Sequence, residues 1–295
     1  MDNNLQKASV LVEALPYIQK YHGKIVVVKY GGSAMLNEEM KTHVINDIIL
    51  MHLVGMHPII VHGGGPDINQ MLKNMQIPTS FVNGMRVTDA TTMQVVEMVL
   101  LGKMNSEIVK NIQICGGNAI GLSGKSSNLI RAKKQLTTVM DNEGLEMEID
   151  LGLVGEVESV NTGLLNLLMS EGYIPVISPI GIGEAGETYN INADYVAGKI
   201  AAATSAEKLI LLTDVEGVYS DYHDKSTMIT HLNMEEAKLL LDKKIIDGGM
   251  IPKLKCCIDA VNQGVSAAHI LDGRQPHSIV LELLTKQGIG TMIEK

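Results

Sequence analysis

The chain has 295 residues and a formal net charge of −9, enough for one large α/β domain or two lobes with a sizeable core. Hydrophobic residues make up 45% of it, which argues against disorder, and an acidic balance without a basic patch argues against nucleic acid as the main partner. Cys115, Cys256 and Cys257 show neither a disulfide framework nor zinc spacing, the N-terminus has no basic stretch followed by an apolar one, and no apolar run is long enough to span a membrane; a cytoplasmic protein with no membrane partner is expected.

In chain order, Ser9 to Tyr21 predicts a helix with Val10, Ala14 and Ile18 on one face. Ile25 to Val28 is a run of β-branched residues, which suits a strand buried on both faces. It ends in Lys29 and, at once, Gly31 and Gly32. Lysine is rarely buried without a partner, and a glycine pair lets backbone turn sharply or approach something closely. Asn37 caps a predicted helix to about Val54, with Glu38 and Glu39 in its first turn. Pro58 to Val61 reads as a strand and Gly65 to Met75 as a helix, followed by helices over Asp89 to Leu101 and Asn105 to Ile114. Ala119 to Val160 predicts short strands and turns. Beyond it, helices are expected over Thr162 to Met169, Asn192 to Ala203, Met234 to Leu241 and Gly249 to Asn262, and strands over Tyr173 to Ile177, Lys208 to Leu212 and Ala268 to Leu271. The tail gives a helix and a last strand. Alternation of this kind predicts a mostly parallel sheet covered by helices on both faces, with ligands outside the carboxyl ends of its strands.

Several motifs fall at those ends. AIGLSGKS at residues 119–126 fits a relaxed phosphate-loop pattern, but the context is wrong, since strand rather than helix is expected after it. HGGGPDIN at 62–69 places three glycines at a strand-to-helix junction, where backbone N–H groups and the helix dipole favour an anion. FVNGMRVTD at 81–89 carries Arg86, a residue able to clamp a carboxylate, beside a turn at Asn83-Gly84. NINADYVAGKIA at 190–201 gathers Asn190, Asn192 and Asp194 at a helix start, where either Asn192 or Asp194 could cap. LILLTDVEGVYSD at 209–221 is a buried strand leading into a polar turn that a nucleotide could border. DGGMIPKLKCC at 247–257 puts Lys253 and Lys255 near a helix N-terminus, against the dipole, which suggests an anionic ligand and favours Lys253. Two glycine loops, two lysines, one aspartate and one arginine, with no nucleophile–base pair or metal cluster, suit phosphoryl transfer by positioning and charge neutralisation.

KYGGSAM, VHGGGPDIN, FVNGMRVTD, GLSGKSSNLI, NINADYVAGKIA, LLTDVEGVY and GGMIPKLK occur in this order. Together, from about Lys24 to the C-terminus, they resemble the amino acid kinase family, and FVNGMRVTD resembles its acetylglutamate-specific branch. One departure is Ser126-Ser127 after GLSGK, where the family pattern has an acidic residue and glycine. The resemblance implies an αβα sandwich with a central, mostly parallel sheet. It also implies transfer of the γ-phosphoryl of MgATP to the side-chain carboxylate of N-acetyl-L-glutamate. It assigns Lys29, Lys253 and Asp194 to catalysis, with Asp194 pairing both lysines. Gly64, Gly65, Arg86 and Asn190 are assigned to the substrate. Lys29, Gly31, Gly32, Thr213, Asp214, Gly217, Tyr219 and Lys253 are assigned to ATP. Mg²⁺ is expected on phosphates and water rather than on a protein cluster. The chain would divide into an N-terminal oligomerisation and regulatory segment (1–22), an acetylglutamate-binding lobe (23–182) and an ATP-binding lobe (183–295).

The helix ahead of the first strand resembles that of hexameric, arginine-inhibited members. It implies a homo-hexamer with an L-arginine pocket near Tyr17, His269, Glu282 and Gly288. The rival readings are a kinase of the same fold acting on glutamate, aspartate, carbamate or a nucleotide, and an idle ligand-binding module. Intact Lys29, Asp194 and Lys253 argue against the idle module.

Overall fold

Ile25–Tyr30 forms strand β1, and every residue after Ile25 is buried, as a strand covered on both faces requires. The computed structural model describes residues 3–35, 37–140, 146–246 and 248–295. Ahead of β1 stand α1 (Asn3–Glu13) and α2 (Leu15–Tyr21); after it come α3 (Glu38–Leu53), β2 (His57–His62), α4 (Gly65–Asn74) and a hairpin of β3 (Phe81–Val82) and β4 (Met85–Arg86). Next are α5 (Ala90–Glu97), α6 (Ser106–Ile114), β5 (Ala119–Ser123), β6 (Ile130–Met140), β7 (Glu146–Val160), α7 (Gly163–Ser170), β8 (Ile174–Ser178), β9 (Ile180–Ile182) and β10 (Thr188–Asn190). The chain continues through α8 (Ala193–Ala203), β11 (Lys208–Thr213), β12 (Val218–Tyr219), β13 (Met228–Ile229), β14 (His231–Asn233) and α9 (Met234–Asp242). It closes with α10 (Met250–Asn262), β15 (Ala267–Asp272), α11 (Ser278–Leu284) and β16 (Thr291–Glu294). None of the described helices is long and apolar enough to cross a membrane.

Eight strands form one sheet in the order β14-β16-β15-β11-β1-β2-β8-β5. It is parallel except where β16 runs antiparallel to β15. β1 therefore lies at the centre, between β11 and β2. Strand side chains alternate between faces. Val26 and Val28 enter the core on the side of α3, α5 and α11, whereas Val27 joins the core formed with α8 and α10. Lys29 shares the parity of Val27, so it emerges beneath α8 and α10. The second sheet, a four-stranded closed barrel of β10-β7-β6-β9, stands beside the carboxyl end of the main sheet.

Three local expectations are corrected. The N-terminal helix breaks at Ala14 because Pro16 sits in the first turn of α2, where its missing N–H is tolerated only at a new helix start. Residues 119–160 hold two long antiparallel strands rather than short ones; register shifts at Arg131/Ala132 and Lys134/Leu136 bulge β6 and break the regular alternation that would have announced it. The two helices expected over residues 89–114 form one rod, since α5 runs through a wider π-helical stretch, Met98–Asn105, into α6.

The departure at Ser126-Ser127 has a structural cost. Ser127 is left-handed, with φ 50 and ψ 34, a region that disfavours a residue with a Cβ by about 1–2 kcal/mol. Glycine adopts it without strain. Ser127→Gly is expected to raise the unfolding free energy by about 1 kcal/mol, read as a higher urea midpoint at unchanged slope; a lower midpoint would contradict strain at this turn.

Candidate active site

The carboxyl end of β1 delivers Lys29, only 8% exposed, under the N-terminus of α8. Asn192 caps that helix by accepting from the Asp194 N–H at 2.8 Å. The Asp194 carboxylate is thus free for other contacts. Its Oδ1 lies 3.0 Å from Lys29 Nζ, and its Oδ2 accepts a hydrogen bond from Lys253 Nζ at 2.9 Å. Lys253 comes from the first turn of α10, and Lys255 faces solvent. Gly198 lets the two helices meet: a Cβ there would stand 2.8 Å from Cys256 Sγ, and that thiol donates to the Asp194 carbonyl at 3.0 Å. Burial pushes the Asp194 carboxyl up, but the adjacent Lys29 and Lys253 outweigh it and hold the group at about 2. Two ammonium groups around one carboxylate leave a net positive charge, poised for an anion.

Two glycine loops meet beside Lys29. The Gly63 N–H donates to the Tyr30 carbonyl at 2.8 Å. A Cβ on Gly31 would lie 3.2 Å from Lys29 Nζ and 3.5 Å from Gly63 N, so Gly31 makes room for the lysine. Gly32, with φ +67, turns the chain away. Gly64 precedes α4 and packs under Leu100, where a Cβ would approach to 2.6 Å. A cavity of about 250 Å³ is lined by Lys29, Gly32, Gly63, Gly64, Gly65, Arg86, Asn190 and Asp194, with Ile68, Phe81, Leu100 and Val154 as apolar walls.

Arg86 is 6% exposed. Its guanidinium donates to Thr79 Oγ1 and Asn69 Oδ1, both at 2.6 Å, and stacks 4.7 Å from the Phe81 ring centre. Among the described residues no carboxylate pairs with it, and burial lowers its pKa. Such a cation, held in place by neutral partners at a cavity wall, is ready for a carboxylate ligand. Asn190 lies across the cavity and donates to Thr88 Oγ1 at 3.4 Å. Asn69 and Thr79, which orient Arg86, escaped the sequence reading: Asn69 lies inside the glycine motif and Thr79 in the unpatterned loop beyond α4.

A second cavity, of about 360 Å³, is lined by Thr213, Asp214, Gly217, Tyr219 and Lys253, together with Val215, Tyr222, Ile245, Ile246 and Met250. The Asp194–Lys253 pair joins the two cavities, because Asp194 lines the first and Lys253 the second. Gly217 also packs on Thr291, whose Oγ1 accepts from Val218 N–H at 2.8 Å. Tyr222, Ile245 and Ile246 lie in segments without a motif, which is why sequence reasoning missed them, and Met250 was passed over inside the DGGMIPKLK motif in favour of its lysines; Asp247 of that motif lies outside the described residues. Among the described residues no His/Cys/Asp/Glu group could hold a metal ion.

His269, Glu282 and Gly288 gather elsewhere, around α11 and β15, and Tyr17 lies on α2, which packs against α11. His269 and Glu282 meet at 2.7 Å, Glu282 also accepts from Ile289 N–H at 2.7 Å, and a Cβ on Gly288 would lie 2.8 Å from Glu282 Oε2. Burial lowers the His269 pKa despite Glu282, and among the described residues its buried Nε2 has no hydrogen-bond partner. The 119–126 motif is followed by a short turn and β6, not by an α-helix, and its Lys125 pairs with Glu97.

A carboxyl depressed in the folded state stabilises it above the ordinary value of 3.8 and loses that contribution as pH falls through about 2. Asp194→Asn leaves two nearby cations unpaired and is expected to cost about 3 kcal/mol at pH 7, with the gap to the parent protein narrowing between about pH 4 and pH 2. Urea unfolding across that range checks this; a gap independent of pH would contradict the charge pairing.

Residues 24–272 match the amino acid kinase family. The chain is 54% identical over 295 residues to the acetylglutamate kinase of Pelotomaculum thermopropionicum, covering 100% of both proteins. It is 54% identical over 289 residues to that of Moorella thermoacetica, covering 98% of this chain and 97% of that one. Among solved structures it resembles N-acetylglutamate synthase from Neisseria gonorrhoeae complexed with coenzyme A and N-acetyl-glutamate, with a TM-score of 0.83, 23% identity, and coverage of 98% of this chain and 63% of the synthase. That likeness is one of fold. The chain belongs to the amino acid kinase family.

Proposed function

We propose that this kinase transfers the γ-phosphoryl group of MgATP to the side-chain carboxylate of N-acetyl-L-glutamate, giving N-acetyl-L-glutamyl 5-phosphate and ADP, the second step of arginine biosynthesis. The observation that carries this reading is the buried Arg86, fixed by neutral partners at the wall of the cavity that also holds Lys29 and the glycine loop. Relatives 54% identical along the whole chain bear the name acetylglutamate kinase. In this reading Arg86 clamps the α-carboxylate, Asn190 binds the substrate beside it, and Gly64 and Gly65 N–H groups meet the attacking carboxylate and the transferring group. ATP lies in the second cavity, with Thr213, Asp214, Gly217 and Tyr219 around the nucleoside and Gly31 and Gly32 near the phosphates. Mg²⁺ is carried by the phosphates and water. The lobe binding acetylglutamate runs from 23 to 182 and the lobe binding ATP from 183 to 295.

A side-chain oxygen forms the new bond to the γ-phosphorus while the bond to the ADP oxygen breaks, so no covalent enzyme intermediate is needed. Carboxylate and polyphosphate repel each other. Lys29 from one side and Lys253 from the other offset that repulsion, and Asp194 keeps both in place. Lys29→Ala or Lys253→Ala is expected to lower kcat about a hundred- to a thousandfold. A hydroxamate trap for acyl phosphate, run with N-acetyl-L-glutamate, L-glutamate and L-aspartate, tests the substrate: product only with the acetylated acid is expected. Product with an unacetylated acid alone would point to a different kinase of this fold.

Regulation belongs to the same proposal: residues 1–22 assemble a homo-hexamer, and L-arginine inhibits it in the cytoplasm. Val10, Leu11 and Val12 on α1 are 61%, 75% and 68% exposed, a surface suited to burial between subunits. His269 Nε2, without a partner among the described residues, and the nearby Glu282 suit a guanidinium, which donates to both. Deleting residues 1–20 is expected to abolish arginine inhibition while catalysis survives; an inhibited truncation would contradict this role.

A further inference from the structure

His62 closes β2 and is fully buried. Its Nδ1 lies 2.8 Å from the Gly63 carbonyl oxygen, so the proton sits on Nδ1 and is donated there. Burial lowers the ring's pKa to about 4, which leaves it neutral at pH 7 with Nε2 as an acceptor. Asn105 Nδ2 lies 3.1 Å from Nε2 and Ser178 Oγ 3.2 Å, and Asn105 also donates to the Val176 carbonyl at 2.9 Å. This pattern fits one tautomer only. Asn105 reaches the ring from the last residue of the π-helical stretch. Gly121 makes room for it, since a Cβ there would stand 2.0 Å from Asn105 Oδ1.

The Gly63 carbonyl and the Gly64 N–H belong to one planar trans peptide and point in opposite directions. Fixing the carbonyl therefore fixes the N–H. Between two glycines that peptide would otherwise rotate freely. We propose that His62, braced by Asn105 and Ser178, is a positioning residue that aims the Gly64 N–H into the active-site cavity. The inference rests on the reading in which Gly64 donates to the transferring group, where a correctly aimed donor is worth about a hundred- to a thousandfold in rate.

Two substitutions separate this role from simple packing. His62→Asn keeps an N–H near the Nδ1 position, whereas His62→Gln carries its amide at the Nε2 position and cannot reach the Gly63 carbonyl. In the full-length enzyme, His62→Gln is expected to lower kcat about ten- to a hundredfold with both KM values within about twofold, and His62→Asn to restore kcat to within about threefold of the parent. Equal kcat in the two variants, whether high or low, would overturn the proposal. ¹⁵N chemical shifts of His62 in the parent protein give a reading independent of substrate: protonated Nδ1 and bare Nε2 at pH 7 are expected, and a bare Nδ1 overturns the inference. A parent enzyme that leaves acetylglutamate untouched yet shows protonated Nδ1 would count against the substrate assignment and leave the peptide-fixing contact standing.

Discussion

One buried carboxylate organises this molecule's site. Asp194 accepts Lys253 and faces Lys29, each within 3.0 Å, and those lysines come from a central strand and a helix more than two hundred residues apart. Burying three charges is costly, and the cost is offset only if the geometry is good. Here it is good because the scaffold makes it so. Strand parity turns Lys29 toward α8, the Asn192 cap releases the aspartate from helix duty, and Gly198 lets α10 approach. The remaining positive charge has a use only when an anion arrives.

The second constraint is the close meeting of two glycine loops at the carboxyl ends of neighbouring strands. β1 and β2 pair from Ile25↔His57 to Tyr30↔His62, so Gly31 and Gly63 emerge side by side. In each loop a glycine clears a neighbour: Gly31 clears Lys29, and Gly64, next to Gly63, clears Leu100. What remains is a glycine backbone lining a cavity that Arg86 and Lys29 also line. In the proposed reaction, positioning and electrostatics are the catalytic equipment that the described residues supply, which suits phosphoryl transfer to a carboxylate.

Much of this was legible in the sequence. The β-branched run 25–28, the Asn37 cap and the strand at Lys208 gave the alternating pattern and hence the sheet, because buried parallel strands are short and uniformly apolar. Lys29 and Lys253 could be singled out as charges in unfavourable places and Asp194 as a spare carboxylate at a helix start; their meeting was implied only by the family resemblance, since residue patterns alone do not show the helix packing through Gly198 and Cys256 that brings it about. Strands β6 and β7 were underestimated because bulges interrupt their alternation. The break at Ala14 follows from Pro16 and was readable. The π-helical stretch was not: it has no residue signature, and its effect, the inward Asn105, appears only in three dimensions. Asn69 and Thr79 were invisible for a similar reason, as partners of a residue rather than of a motif.

The measurement that tests the central claim most directly is a crystal structure with Mg·ADP, N-acetyl-L-glutamate and tetrafluoroaluminate as a mimic of the transferring phosphoryl group. The account predicts the aluminium group between the two cavities, with Lys29 Nζ and Lys253 Nζ each about 3 Å from its fluorines and both still in contact with Asp194. A group bound away from either lysine, or a lysine turned out of contact with Asp194, would contradict it.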